Sequence, residues 1–585
     1  MAEKEGENLM RRAFNEHIRR RVDYLDGVWS FIDDPNDCGI EAGWNKKMPA
    51  SAYSVSVPSV WNTESRLLQY EGKAWYSKTF AFEGGNCRIC FDAVMTECTV
   101  WLDGQELGSH YGGYTAFDFI VKSLSQGVHT LTVCVDNRFG ADSIPQKWVD
   151  FYHYGGITRS VSVEKLGDAA ILGAHLDYKV ASDFSAVDAT LKLSVVNLTD
   201  HELTLPFTSA FASALNKRPF TGAMLTLPVG KSEHVCSNVL LEGIKLWSPK
   251  TPKLYNLYMT LGDDDLIDRV GFRDISVQNG KIYLNGEELE LRGVCRHEDH
   301  PDFGMAFPGR LMDRDLEIIK NLSCNFIRGS HYPNSKIFLD LLDENGIMFW
   351  SEIPIWGSGF RPETLVRPLV LQRGLDMLSE MKDQYFNHPS IIMWGLHNEI
   401  RTDMPQGKEM SRVFYSFMKE DNGNRPLTFA TNHPLNDICL EYCDIISINK
   451  YFGWYEGDMD VWADFLEKFR EYRRSLGMEN KPVIMSEFGC AALYGYHTFD
   501  CLKWTEEYQA KLLTHTLELF HNDPMIVGFS IWQYCDIRTA KECGNDRARS
   551  YNNKGIVSDT RKPKLAYLAV KKLYEKYAEE ESENK

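Results

Sequence analysis

From about residue 275 onward, eight short apolar runs alternate with long amphipathic segments, and that alternation leaves few folds open. The runs are LELRGVC (289–295), NFIRGS (325–330), IMFWSEIP (347–354), IIMWGLHNE (391–399), LTFAT (427–431), IISINKY (445–451), PVIMSEFG (482–489) and IVGFSIWQY (526–534). Runs of this kind suit strands buried on both faces, and the segments between them suit helical crossovers. VWADFLEKFREYRRSL (461–476) and EYQAKLLTHTLELFH (507–521) read as two such helices. Eight strand–helix units in roughly 300 residues predict a (β/α)8 TIM barrel over 275–585. KLAYLAVKKLYEKY (564–577) supplies its last helix, and the acidic tail beyond is expected to be solvated.

Ahead of the barrel the pattern is β throughout. Up to about residue 166, AWYSKTFAF, CTVWLDGQELGSH and HTLTVCVDNRF read as strands, with a hairpin signal at Asp103-Gly104. From 167 to 274 further strands span the length of one immunoglobulin-like β-sandwich. In that stretch, LWSPKTPKLYNL (246–257) carries two prolines, expected to punctuate an edge strand. The domains are therefore placed at 1–166, 167–274 and 275–585.

With 64 basic and 82 acidic residues the net charge is −18, which argues against nucleic acid or an anionic membrane as partner. An acidic substrate would then need positive charge concentrated locally. The N-terminus shows no apolar signal region, and no stretch reaches transmembrane length. Fourteen cysteines scattered through apolar segments read as reduced thiols, and the lone Cys87–Cys90 pair as strand residues. The expected compartment is cytoplasmic.

Side chains at the C-terminal ends of barrel strands face the active site. Asn398 and Glu399 close the fourth run and Glu487 nearly closes the seventh. The dipeptide alone says little, since Asn15-Glu16 repeats it in the charged N-terminal segment. Either glutamate alone is an ordinary strand-end carboxylate. The pair, delivered from opposite sides of one barrel mouth, is the equipment of glycoside hydrolysis, provided that their environments differ enough to keep one protonated and the other ionised. HEDH (297–300) is a poor metal motif, with histidines three apart and no HExxH helix. Hydroxyl binding is favoured over a metal there, no metal is expected, and a structural role for Asp299 is open.

NHPSIIMWGLHNE and PVIMSEFG resemble the acid/base and nucleophile motifs of glycoside hydrolase family 2. The resemblance runs almost the full length. DFYHYGGITRSV (150–161) is similar to the end of that family's sugar-binding jelly roll, LWSPKTPKLY to its middle sandwich, and RGVCRHEDHP and IRGSHYPNS to its first two barrel strands. It implies retention, with Glu399 as acid/base, Glu487 as nucleophile and Asn398 on the sugar 2-hydroxyl. The two carboxyls then lie about 5–5.5 Å apart. By the same resemblance His297 and His331 belong to the sugar pocket.

YNNKGIVSDTRKPK (551–564) resembles the loop by which the family's β-glucuronidases recognise the sugar's C6 carboxylate, through Asn552 and Lys554 here. A compact ammonium beside an amide donor suits one carboxylate, and a neutral sugar would leave the lysine unpaired. NKYFGWYEGD (449–458) and EFGCAALYGYH (487–497) are also similar to that group, implying that Asn449, Tyr451 and Tyr455 line the pocket, that Trp532 walls it and that Asp150 touches sugar hydroxyls. The expected activity is hydrolysis of terminal β-D-glucuronosides, small or oligosaccharide. The alternatives are β-galacturonides, neutral β-glycosides or a non-catalytic sugar-binding protein, against which the intact glutamates argue.

Ser550 and Tyr551 stand where familiar members have glycines, and IWGSGFRPETLVRPL (355–369) is shorter than the lid of some bacterial members, implying a more open mouth. The resemblance suggests a bacterial homo-oligomer, dimer or tetramer. No cofactor is required by the chemistry, and the resemblance leaves room for an accessory flavin mononucleotide away from catalysis.

Overall fold

The structure, a computed structural model, describes residues 12–213, 216–357, 361–540, 542–543 and 547–583. Eight parallel strands close into a barrel: Leu291–Cys295, Phe326–Gly329, Met348–Glu352, Ile391–Asn398, Leu427–Thr431, Ile445–Asn449, Val483–Glu487 and Ile526–Ile531. Each lies inside one of the eight apolar runs, and every residue of all eight is buried. Water is excluded from both faces, so no polar alternation is needed.

Helices Val461–Ser475 and Glu506–His521 fall where the amphipathic pattern places them. Thr505 caps the second by accepting from the Tyr508 N–H, and Ser335 caps Lys336–Asn345 through the Ile337 N–H. Each such cap satisfies an amide that would otherwise be orphaned, worth about 1 kcal/mol. The fifth unit departs from the pattern, joining its strand to the sixth through a single 3-10 turn at Leu440–Tyr442. The acidic tail, expected to be solvated, is helical as far as Glu583 and stays partly or fully exposed. Leu565–Glu583 continues through it, with Glu580 on His521 Nε2 at 2.9 Å and Glu581 on Arg292 at 2.9 Å.

One barrel end is sealed. A three-stranded sheet (Ile275–Gln278, Lys281–Leu284, Glu287–Glu288) packs Ile275, Ile282 and Leu284 against Leu291, Phe326, Met348, Ile445 and Ile484 at the strand starts. Only the end bearing the strand C-termini is left for chemistry.

Residues 22–166 form an eight-stranded antiparallel sheet around Trp29, Phe31, Ile89, Val133 and Val163. Its long strands Lys73–Phe91 and Phe117–Asp136 pair along their length with a bulge at Gly85/Cys87. Cys87 and Cys90 both lie in the first of these, and all fourteen cysteines are free thiols. Asp103-Gly104 is a two-residue hairpin loop with φ of +51° and +81°, the handedness that matches the twist of its strands. Next, sheets of three and four strands pack face to face through Leu191, Leu193, Phe207, Phe211 and Leu257. Both prolines of LWSPKTPKLYNL precede the strand Tyr255–Leu261, which lies inside its sheet rather than at an edge. A central strand cannot lose a ladder donor to proline, so the ladder begins past them.

The first domain reaches over the open barrel end. Arg159 pairs with Glu298 at 3.1 Å, and Tyr154 donates to Asp299 at 2.6 Å. Arg538, from beyond the eighth strand, donates through its backbone N–H to the same aspartate at 2.7 Å and through its guanidinium to the Asn62 and Leu68 carbonyls. Asp299 is thus an anchor between the domains.

Candidate active site

The two glutamates arrive at the barrel mouth in contrasting surroundings. Glu399 follows the fourth strand with φ of +51°, a region that non-glycine residues seldom adopt. Its N–H donates to the Ala430 carbonyl at 2.8 Å. Its own carbonyl is backed by Gly357, where a β-carbon would stand 2.1 Å from the oxygen. Its carboxyl takes one hydrogen bond, from Asn449 Nδ2 at 2.8 Å. Desolvation, with the charge of Glu487 next in weight, pushes it up to about 8. A carboxyl so placed is protonated at neutral pH.

Glu487 ends the seventh strand and takes two strong donors. Arg328 Nη1 reaches Oε1 at 2.7 Å and the Tyr451 hydroxyl reaches Oε2 at 2.6 Å. A guanidinium touching one oxygen and a phenol the other supply charge and direction to an ionised carboxylate.

Arg328 organises more than Glu487. Fully buried in the second strand, it forks onto Glu352 (Nε to Oε2 3.1 Å, Nη2 to Oε1 3.0 Å) and donates to Asn398 Oδ1 at 2.7 Å. Asn449 Nδ2 also donates to that oxygen, at 3.1 Å, and Ser486 holds the Asn449 carbonyl at 2.7 Å. With Asn398 Oδ1 so occupied, its buried Nδ2 is left without a protein partner. It is a donor held ready for a hydroxyl.

His331 Nδ1 lies 2.7 Å from Glu352 Oε1, and His297 Nδ1 lies 3.2 Å from the Tyr332 hydroxyl. Both Nε2 atoms are buried without a partner. Trp532 stacks on His331 (5.0 Å between centroids, 18°) and meets His297 edge-on.

At the far side stands the C-terminal loop. Lys554 is 1% exposed, and its ammonium donates to the Tyr455 hydroxyl at 2.7 Å and lies over the Tyr455 and Tyr451 rings. No carboxylate pairs with it among the described residues. Asn552 donates one amide hydrogen to Asp150 Oδ2 at 2.8 Å and accepts from the Lys554 N–H at 3.2 Å, leaving its second amide hydrogen. Asp150, carried over from the first domain, keeps Oδ1 buried and unpartnered. The expected residues Asp150, His297, His331, Asn398, Glu399, Asn449, Tyr451, Glu487, Trp532, Asn552 and Lys554 are thereby linked by contacts around one mouth. Tyr455 joins them from its rim, 56% exposed.

Three residues escaped sequence reasoning. Arg328 and Glu352 are charges inside the apolar runs NFIRGS and IMFWSEIP, and that anomaly was their signal. Arg547 has no such mark, yet it pairs with Asp150 at 2.6 Å and donates to Tyr455 at 3.0 Å. Residues 358–360 of the segment expected to be a short lid lie outside the described residues. A cluster of ligand-like geometry, Asp340, Asp343 and His388, lies away from the mouth, where its oxygens already accept from Arg12, the Ala13 N–H and the Ser390 N–H.

Residues 275–579 match the family model "Glycosyl hydrolases family 2, TIM barrel domain", and residues 22–167 match "Glycosyl hydrolases family 2, sugar binding domain". A β-glucuronidase of Paenibacillus borealis is 26% identical over 602 residues, covering 94% of this chain and 96% of that one. Among solved structures, a family 2 β-galacturonidase from Eisenbergiella tayi bound to galacturonate is similar with a TM-score of 0.90 and 34% identity, covering 97% of this chain and 99% of its own. A β-glucuronidase from Ruminococcus gnavus in complex with D-glucaro-d-lactam aligns with a TM-score of 0.85 and 26% identity, over 96% and 99% of the two chains.

Proposed function

The chain belongs to glycosyl hydrolase family 2, and from that membership we propose that it is a retaining β-glucuronidase acting on terminal β-D-glucuronosides. Protonated Glu399 gives its proton to the glycosidic oxygen as Glu487 attacks the anomeric carbon, forming a glycosyl-enzyme ester. Glu399, now ionised, takes a proton from water, which cleaves the ester with overall retention. The Asn398 amide meets the 2-hydroxyl, while Asn449 and Arg328 hold Asn398 and the two carboxylates in register.

The single observation behind a uronide substrate is Lys554. A buried ammonium without a counter-charge is costly, and a C6 carboxylate would relieve it. Asn552 adds its remaining amide hydrogen. A second reading, β-galacturonide hydrolysis, is favoured by the 34% identity to the galacturonide-cleaving relative. The two sugars share the carboxylate and differ at one ring hydroxyl, so Lys554 serves both.

Hydrolysis of p-nitrophenyl β-D-glucuronide beside the galacturonide and the galactoside tests this. Cleavage of the glucuronide in preference, with Glu487→Ala inactive and Lys554→Ala losing mainly uronide activity, is the expected result. Preference for the galacturonide selects the second reading. Preference for the galactoside, with no effect of Lys554→Ala, overturns both. The short lid segment favours bulky aglycones over small aryl ones, which the same assay compares.

No described helix is long and apolar enough to cross a membrane. The cytoplasm as compartment is supported by fourteen free cysteines, and a homo-oligomer follows from the family resemblance, to be read by light scattering. Neither nucleic acid nor membrane enters the proposal, and side chains and water suffice for the route. An accessory flavin mononucleotide would be read as visible absorbance of the purified protein.

A further inference from the structure

We propose that the two buried histidines of the mouth are fixed in opposite tautomers, so that a bound sugar meets a hydrogen-bond donor at His297 Nε2 and an acceptor at His331 Nε2, with Tyr332 and Glu352 as the positioning residues. The nature of the sugar rests on the uronide reading above; the tautomers do not.

At His331, Nδ1 lies 2.7 Å from Glu352 Oε1, so one of the two atoms carries a hydrogen. Burial pushes the Glu352 carboxyl up, but it sits in the fork of Arg328, whose charge and donation to both of its oxygens oppose that push and favour the carboxylate, which has no hydrogen to give. Arg328 Nη2 also lies 3.3 Å from Nδ1, but its two hydrogens serve Glu352 at 3.0 Å and Asn398 at 2.7 Å. The hydrogen therefore sits on Nδ1. Burial, and then the Arg328 charge, hold this imidazole down at about 3, so the ring carries one proton and Nε2 presents a lone pair. That nitrogen stands 3.8 Å from Glu487 Oε1, beyond hydrogen-bond reach.

At His297 the logic inverts. The Tyr332 oxygen accepts from the Glu298 N–H at 3.1 Å and lies 3.2 Å from His297 Nδ1. Tyr332 is 2% exposed, and its hydroxyl hydrogen has no other acceptor among the described residues. Leaving it unmade inside the protein is unfavourable, so it points at Nδ1. Burial holds His297 well below the ordinary histidine range, and its single proton then sits on Nε2. The rings face each other edge to face, 5.4 Å apart, with Trp532 against both. One sugar hydroxyl must accept and another must donate, a polarity that rejects ligands offering the wrong group at either position.

Neutron diffraction from deuterium-exchanged crystals of the full chain tests this directly. Deuterium on Nδ1 of His331 and on Nε2 of His297 is the expected map. The same tautomer at both, a doubly loaded ring, or a deuterium on Glu352 in place of His331 Nδ1 overturns the proposal. In Tyr332→Phe, deuterium at His297 should spread over both nitrogens, and kcat/KM for p-nitrophenyl β-D-glucuronide should fall about tenfold. If His297 keeps a sole Nε2 deuterium in that variant, Tyr332 is not its positioning group. Should the variant fail to fold, the wild-type map still decides. Opposite tautomers in a chain that cleaves no uronide would leave this inference standing and remove the functional reading instead.

Discussion

Glu399 shows how one residue's surroundings set its chemistry. Its carboxyl is held near 8 by desolvation and by Glu487, against about 4.3 for a free glutamate. As a general acid it works only while protonated, so kcat/KM should be level around neutrality and fall about tenfold per pH unit above 8. A profile that stays flat to pH 9.5 would exclude Glu399 as the acid. Stability carries a matching signature. Below about 4.3 both folded and unfolded chains hold this proton; from there to about 8 only the folded chain does, so stability is lost as pH rises through that window. Glu399→Gln removes the burden, and its Tm advantage over the parent should be larger at pH 8.5 than at pH 4.5, with activity on unactivated glucuronides falling by at least about 100-fold. Arg328 is the complementary case. It bonds Glu487, Glu352 and Asn398 at once, a task for a planar fork and not for a point charge. Arg328→Lys should therefore lower kcat by about 100-fold or more despite conserving charge, a loss read in single-turnover kinetics.

Among the elements, the barrel strands were the most legible part of the chain. Full burial makes each strand a continuous apolar run, and the functional residues were sought where those runs stop. What the runs concealed was the reverse case, charged residues inside them. Arg328 and Glu352 neutralise each other within the barrel, and a single sequence shows neither the partner nor the geometry. The prolines misled for a related reason. Glu580 and Glu581 keep much of their surface in water while also meeting His521 and Arg292, which no run of acids announces, and the prolines of LWSPKTPKLYNL said where a strand cannot start, not where in its sheet it lies. Gly357 was silent, since nothing in WGSG says that its α-hydrogen faces the Glu399 carbonyl. A methyl group there would meet backbone at 2.1 Å with no flexible atom to yield. Gly357→Ala should displace the turn that holds Glu399 at positive φ, lowering kcat by about 10- to 100-fold with KM changed less. An alanine variant of parental activity would show that the turn adjusts freely.

Across the whole molecule, the site is not the barrel's alone. Asp150 belongs to the first domain, and so does Phe151, whose ring lies 5.2 Å from His297. The domain is held there by a buried ion pair, Arg159 to Glu298, and Arg159 also donates to the Tyr114 and Pro333 carbonyls. Glu298 is 1% exposed, and its other oxygen accepts from the Ser335 N–H at 3.1 Å. It is also the residue next to His297, so docking and the sugar pocket share a backbone. Removing the guanidinium would leave buried Glu298 with only the more distant Arg296 Nη1, 4.0 Å away, as counter-charge, a loss of at most about 3–5 kcal/mol. Arg159→Ala should accordingly lower the apparent Tm and reduce kcat/KM together. Arg159→Ala with Glu298→Gln should recover part of the stability, because the stranded charge is then gone. If docking matters only for stability, the double variant returns to parental activity as well. If the first domain aligns His297, activity stays depressed while Tm recovers. That split, read from melting curves and p-nitrophenyl β-D-glucuronide kinetics on the parent and these two variants, assigns the interface its part in catalysis.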